Sequence, residues 1–581
     1  MSAVVTVLAL GCFLLAYRFY ARYVGERIYR DREEIRTPAY EFEDGQDYVP
    51  TNRHILWGHH FTSIAGAAPI IGPCIAAYWG WLPALLWVVL GTIFMGAVHD
   101  FGALVVSVRE RGRSIADIAN GVLSGRARIM FLCFVLVLVW LVLAVFAMAI
   151  AGLFVSQPTS VLPINIEIVV AIVIGWLIYK RRMRALVPSL VALAILYLFV
   201  WFGTMAPLRF EDLGLSRDSA MTTWIVILFV YSAIASLLPV WLLLQPRDFI
   251  NSHQLMVGLG LLFAGLFVAH PEFDAPMVRT TFEGGAPSLW PLLFVTIACG
   301  AISGFHGLVA SGTTSKQLDR LPHARLVGYG GMIGEGSLAL ASTMAAVAGI
   351  GLVGACSLPS LGGAEVPDLG WAVYYDSFVH AAQNKATAFV VGGGEFLMRV
   401  GLGAEIARTL MAVLVISFAA TTLDTATRIE RFIVSEIGSA LRIRVLENRV
   451  VATAVAVGPA ILLALWKVPD PASGAFTSAG WVLWPIFGAS NQMLAALTLM
   501  VLSLYFWRRK RPVLPLLLPM LFVMAVTLAS LLVKAGEFLR AENWLLLGIT
   551  VVQLTLVLWM LLEGVASLAR RGRSEAAPAR E

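Results

Sequence analysis

Runs of about twenty apolar residues recur along the whole chain, and each is long enough to cross the roughly 30 Å hydrocarbon core of a bilayer. A backbone in lipid must satisfy its own hydrogen bonds, which leaves helices or closed barrels as spanning structures. Barrel strands alternate in polarity over about ten residues, whereas these runs are evenly apolar. The reading is therefore an all-α, polytopic membrane protein. Composition agrees: of 581 residues, 59% are hydrophobic and 13% charged, where a soluble domain carries roughly a quarter charged residues.

About fifteen spans are expected, near residues 3–23, 55–78, 82–107, 129–155, 166–179, 185–205, 221–244, 253–270, 291–313, 326–354, 404–427, 450–467, 480–506, 513–533 and 543–564. A half-helix is expected near Phe389 to Gly401, inside the otherwise hard-to-assign region 355–403. The basic residues near the N-terminus, Arg18 and Arg22, follow the first apolar run instead of preceding it, so this run reads as a span and not a cleaved signal. With the N-terminus outside, the inner segments hold about 31 Lys and Arg against about 8 outside, the asymmetry of the positive-inside rule. An odd number of spans then puts the tail, with Arg570 to Arg573, in the cytoplasm of a bacterium whose inner membrane holds the chain. The net charge of +6 follows from this retention of arginine on one face, so nucleic acid is not an expected partner; the lipid bilayer is.

Helix breakers concentrate in two places. Gly66-Ala67-Ala68-Pro69-Ile70-Ile71-Gly72-Pro73 cannot run as an uninterrupted helix, because proline removes an amide donor and clashes with the preceding turn. A milder break is expected at Ala235-Ser236-Leu237-Leu238-Pro239. The two lie five spans apart, and an odd unit inverts its repeat, so a 5+5 inverted-repeat core is expected with the substrate site between the breaks. Residues 1–24 would form a leading helix, 25–205 the first repeat, 206–428 the second, 429–568 four trailing helices and 569–581 the tail. Ordinary proline kinks are the alternative.

Ionisable residues inside a bilayer are expensive, so each is a functional candidate. They are His59, His60, His99, Asp100, His306, Glu335 and Asp424, with Lys316 just past a span. The topology collects them in the cytoplasmic half. His99 and Asp100 do not face each other on a helical wheel, so each is expected to meet a neighbouring helix, for instance at His60 or Lys316. Histidine can load and release protons near neutral pH, and proton coupling stands beside a hydrogen-bonded knot that pins the helices. For Asp424 the simplest alternative is an intrahelical pair with Arg428, and Asn491 and Gln492 read as helix glue. No HExxH or paired-Cys spacing supports a resident metal, and the five cysteines are scattered. A membrane-embedded metal-dependent enzyme or a nutrient sensor using the histidines are the rival readings; no P-loop or nucleophile-elbow motif is present.

The string from Gly58 to Pro73 and Gly96-Ala97-Val98-His99-Asp100-Phe101 resemble the carbon starvation protein A family. So do Ser303-Gly304-Phe305-His306, Ser311 to Lys316 and Trp484 to Gln492. The resemblance runs from about residue 25 to about residue 510. It implies the leucine-transporter fold of the amino acid–polyamine–organocation transporters, and uptake of peptides or of pyruvate with protons when carbon is scarce. The expected function is proton-coupled uptake of a small carboxylate or a short peptide, with no cofactor beyond the coupling ion, sodium being the other possibility. Substrate contacts are expected at His60, Ser63, Gly66, Ala67, Pro69, Gly72, Ser236, Ser303 and His306, and coupling or gating at His99, Asp100, Lys316, Glu335 and Asp424.

Overall fold

A computed structural model of the protein describes residues 1–280, 287–358, 365–384, 386–469 and 476–575. Parts of the region 355–403 and of the tail 569–581 lie outside the described residues. Among the described residues, twelve helices are long and apolar enough to cross a membrane, or thirteen with one bent pair. In chain order the helices are α1 (Ser2–Tyr29), the bent pair α2 (Arg53–Ile64) and α3 (Ala68–Trp79), then α4 (Trp81–Arg109). A short α5 (Ile115–Val122) leads into α6 (Gly125–Ser156), followed by α7 (Pro158–Tyr179), α8 (Leu186–Met205), α9 (Arg217–Leu237) and α10 (Leu244–Ala269). Three pieces follow, α11 (Leu289–Thr296), α12 (Ala298–Ala301) and α13 (Gly304–Gly312), and then α14 (Leu321–Leu352). The remainder comprises α15 (Phe378–Asn384), α16 (Thr387–Arg399), α17 (Ala404–Leu441), α18 (Arg449–Leu465), α19 (Ala479–Trp507), α20 (Leu514–Arg540) and α21 (Trp544–Glu575). Two short antiparallel hairpins, Val353–Ser357 with Glu365–Leu369 and Lys467–Pro469 with Phe476–Ser478, complete it.

The count of fifteen is not reached by length and composition alone. The span expected at 291–313 is in three pieces, and the one at 450–467 is a helix of 17 residues. The half-helix expected near Phe389 to Gly401 is α16. At 38 residues α17 is about 57 Å long, nearly twice the hydrocarbon thickness. It packs along α6 in the most extensive helix–helix contact among the described residues, and most of its length is buried. These two helices are the spine against which the broken ones lie.

The first expected break is present. α2 ends at Ile64, Ala65 leaves helical geometry, and α3 restarts at Ala68 with a bend of 47° between the halves. The second expected break is a correction. α9 stops at Leu237, because Leu238 is extended ahead of Pro239, and α10 starts afresh at Leu244. Pro239 therefore ends a helix instead of interrupting one. The other interrupted apolar segment is α11–α13, where Ile302 and Ser303 are both extended. The two broken segments touch: a Cβ at Gly72 would lie 2.5 Å from the Thr296 carbonyl oxygen, so only glycine allows the approach. Likewise a Cβ at Gly304 would lie 2.5 Å from the Asn491 carbonyl oxygen, which seats α13 against α19.

Candidate functional site

Around the breaks, side chains that would be costly in lipid are buried together. On α4, His99 Nδ1 lies 2.7 Å from Asp100 Oδ1. The neighbours do meet, contrary to the helical-wheel expectation, because a long imidazole and a short carboxylate can fold back together across one residue. The partner across the helix boundary is neither His60 nor Lys316. It is His306 on α13, whose Nδ1 is 3.1 Å from Asp100 Oδ2 and whose Nε2 is 3.2 Å from Glu335 Oε2 on α14. All four side chains are at most 1% exposed. His306 thus lies between two carboxylates, of which only Asp100 meets it in hydrogen-bond geometry, and an imidazole can serve both sides as a donor only as a cation.

A second buried cluster lies on the other side of α2. His59 Nδ1 is 2.5 Å from Asp248 Oδ2, and Asp248 lies beside Arg247, which pairs with Asp424 of α17. Tyr231 of α9 donates to Asp424 Oδ2 at 2.7 Å. Asn251 bonds Thr421 at 3.0 Å, and Ser417 donates to Glu167 of α7 at 3.0 Å. Asp424 thus pairs across helices and not with Arg428. Arg428 instead reaches Asp47, in the segment ahead of α2, at 2.6 Å, with Arg431 at 3.2 Å from the same oxygen.

The segment carrying Asp47 is strapped under the helices. Val240 donates to the Gln46 carbonyl at 3.0 Å, and the Thr51 amide donates to the Gln317 carbonyl at 3.0 Å. Burial raises the Asp47 carboxyl, but Arg428, Arg431 and Lys316 outweigh this and hold it below the usual carboxylate range. Lys316 belongs here and not with His99. Its Nζ sits 3.5 Å from the Phe432 ring centroid, and burial, opposed by Asp47 and Glu436, pushes its ammonium down to about 8.

The remaining expected contacts divide. His60 Nδ1 is 3.0 Å from Thr314 Oγ1, and its Nε2 has no partner among the described residues. Ser63 Oγ is 3.1 Å from Thr425 Oγ1, and the Ser63 carbonyl accepts from Thr422 at 3.2 Å. Gly66 sits at the break against Thr422 and Phe146, while Ala67 and Pro69 form the start of α3, which has no side-chain cap. Ser303, at the second break, pairs with Asn491, whose Oδ1 also accepts the Phe305 amide at 3.0 Å. Asn491 is therefore the cap of α13, a more definite task than general helix glue. Ser236 is not at either break: its hydroxyl donates to the Ala233 carbonyl at 3.0 Å and lies 3.4 Å from Thr453 on α18.

Sequence reasoning missed Arg247 and Asp248 because 245–252 reads as a polar loop before a span at 253. The signal was present: Pro246 followed by Asp248 suits the first turn of a helix, and α10 does start at Leu244. A cavity of about 210 Å³ adjoins the breaks, walled by Gly72 of α3, Cys299 of α12, Phe378 of α15, Trp484 and Phe487 of α19, and Lys534 of α20.

The profile of the carbon starvation protein CstA family matches residues 1–530. The chain belongs to that family. A peptide transporter CstA of Mycobacterium tuberculosis is 33% identical, over 91% of this chain and 75% of its own length. A pyruvate/proton symporter, BtsT of Escherichia coli, is 32% identical over 87% and 78% respectively. Among solved structures, an Eremococcus coleocola manganese transporter gives a TM-score of 0.46 at 13% identity, covering 90% of this chain and 99% of that one. As a member of this family the chain is a membrane transporter, with the helical architecture of one.

Proposed function

We propose that the chain imports a small carboxylate such as pyruvate, or a short peptide, together with protons across the bacterial inner membrane. The observation that carries this is the buried His99–Asp100–His306–Glu335 quartet, two imidazoles against two carboxylates, three residues from the break at Ser303. A substrate carboxylate would sit on the uncapped amides at the start of α3, where the helix dipole favours negative charge. Protonation of the quartet would then be linked to occupancy of the break. The relatives named for peptide and for pyruvate/proton transport support this reading of the substrate. With the N-terminus outside and the C-terminus inside, α2–α3 and α11–α13 would run in opposite directions, six continuous helices apart. The opposite directions of the expected repeat are kept, but its five-span spacing is not, since the second broken segment follows the first by seven spans.

The test is uptake into proteoliposomes of labelled pyruvate and of a labelled dipeptide, with and without an inward-acid pH gradient. Gradient-driven uptake is expected with one of them. His306→Gln should abolish accumulation while leaving counterflow, since exchange needs no net proton movement. Uptake driven by sodium and indifferent to a protonophore would overturn proton coupling.

A further inference from the structure

Lys534 faces the cavity beside the two breaks, although it belongs to a trailing helix outside the expected repeats. The other lining side chains are apolar or weakly polar, with Ile71 and Ile75 of α3 opposite Trp484 and Phe487 of α19. A small apolar chamber with one cation selects an organic anion with an apolar body. We propose that Lys534 is the recognition cation of an outer vestibule, where the carboxylate of the incoming substrate docks before it passes to the breaks.

Topology supports the placement. With the N-terminus outside, α3, α12, Phe378 of α15, the start of α19 and the end of α20 all lie at the extracellular ends of their helices. Lys534 already has a partner, Glu537 Oε2 at 2.7 Å, but the two side chains are unequally placed, with 18% and 41% of their surfaces exposed. A pair opening to water is weak, so Glu537 positions the ammonium and gives way to a substrate carboxylate.

The inference rests on the transport reading but is measured separately from it. Cys299 lines the same cavity and serves as an in-place probe. In a Cys356→Ser background, its modification by impermeant methanethiosulfonates is followed by peptide mass spectrometry, using an anionic sulfonatoethyl and a cationic trimethylammonium reagent. The expected result is a faster reaction with the anionic reagent, a preference that falls about tenfold in Lys534→Gln, as loss of one charged contact implies, and survives in Lys534→Arg. Lys534→Gln should also raise KM for the transported carboxylate about tenfold with kcat within about twofold, and Glu537→Gln should lower KM. An unchanged reagent preference in Lys534→Gln, or an unchanged KM for the transported carboxylate there, overturns the proposal. So does protection of Cys299 by phosphatidylglycerol vesicles but not by pyruvate or the dipeptide in phosphatidylcholine, which would assign the site to a lipid headgroup. Lost uptake with the preference intact counts against the transport reading alone; intact uptake with no preference counts against Lys534 alone.

Discussion

Replacing Asp424 by leucine would leave the Arg247 guanidinium buried, at 2% side-chain exposure, with its principal acceptor removed. Tyr231 would still lie 2.5 Å from Arg247 Nη1. The nearest remaining carboxylate, Asp248 Oδ1, is 3.6 Å from Nη2, and its other oxygen is held by His59. Breaking a buried pair from one side costs about 3–5 kcal/mol, and the residual contact with Asp248 places Asp424→Leu near the lower end. Arg247→Met strands two carboxylates and belongs near the upper end. The double variant removes the desolvation cost along with the pair, so it should cost less than Arg247→Met alone, with a coupling of about 2 kcal/mol or more. Equilibrium unfolding of the detergent-solubilised protein in graded denaturing detergent gives all four corners of the cycle. Additive single costs in the double variant would refute the pair, and with it the account of what holds α10 to α17.

Three further outcomes follow from buried groups elsewhere. Gly72→Val places branched carbons where the Thr296 carbonyl now lies, and should cost several kcal/mol or abolish transport; normal stability and uptake together would show that the broken helices do not touch there. Lys316 has its ammonium lowered from 10.5 to about 8, so between those values the unfolded chain binds more protons than the folded one and stability rises with pH. The full rise is worth about 3 kcal/mol and should vanish in Lys316→Met, read as thermal unfolding from pH 7.5 to 10; parallel profiles would refute it. Glu430 is buried with neither carboxyl oxygen partnered among the described residues, which is tolerable only for the neutral acid. Glu430→Gln should therefore change stability by less than about 1 kcal/mol, and a large loss would reveal an ionised partner.

How far the sequence reaches is clearest at the two breaks. Gly66 to Pro73 announces itself because glycine and proline are dense there, and the chain does break at Ala65 to Ala67. The second break leaves helical geometry at Ile302 and Ser303 with no proline at all, held by a side chain from α19 that no local pattern could name. Pro239 misled for the opposite reason, since proline marks helix ends as readily as interruptions. The polar residues followed the same division. His99, Asp100, His306 and Glu335 stand out within apolar runs and do form one group, whereas the partner of Asp424 sits in a segment whose polarity disguised it as a loop. Lys316 is grouped with the quartet by its depth in the membrane and Ser236 with the substrate site by its place beside Pro239, and neither criterion says which neighbours a side chain meets.

The two adjacent histidines midway along α2 carry a consequence for motion. Adjacent helical residues point about 100° apart, so His59 turns to Asp248 while His60 turns to Thr314, ahead of the quartet. The half-helix is thereby fastened on two sides at one level, like a bolt seated in two hasps. Any swing of the half-helix would have to break both contacts. Freeing α2 on both sides therefore breaks one contact to a carboxylate and one to a neutral hydroxyl, so only the His59 side carries a charge that a proton could neutralise.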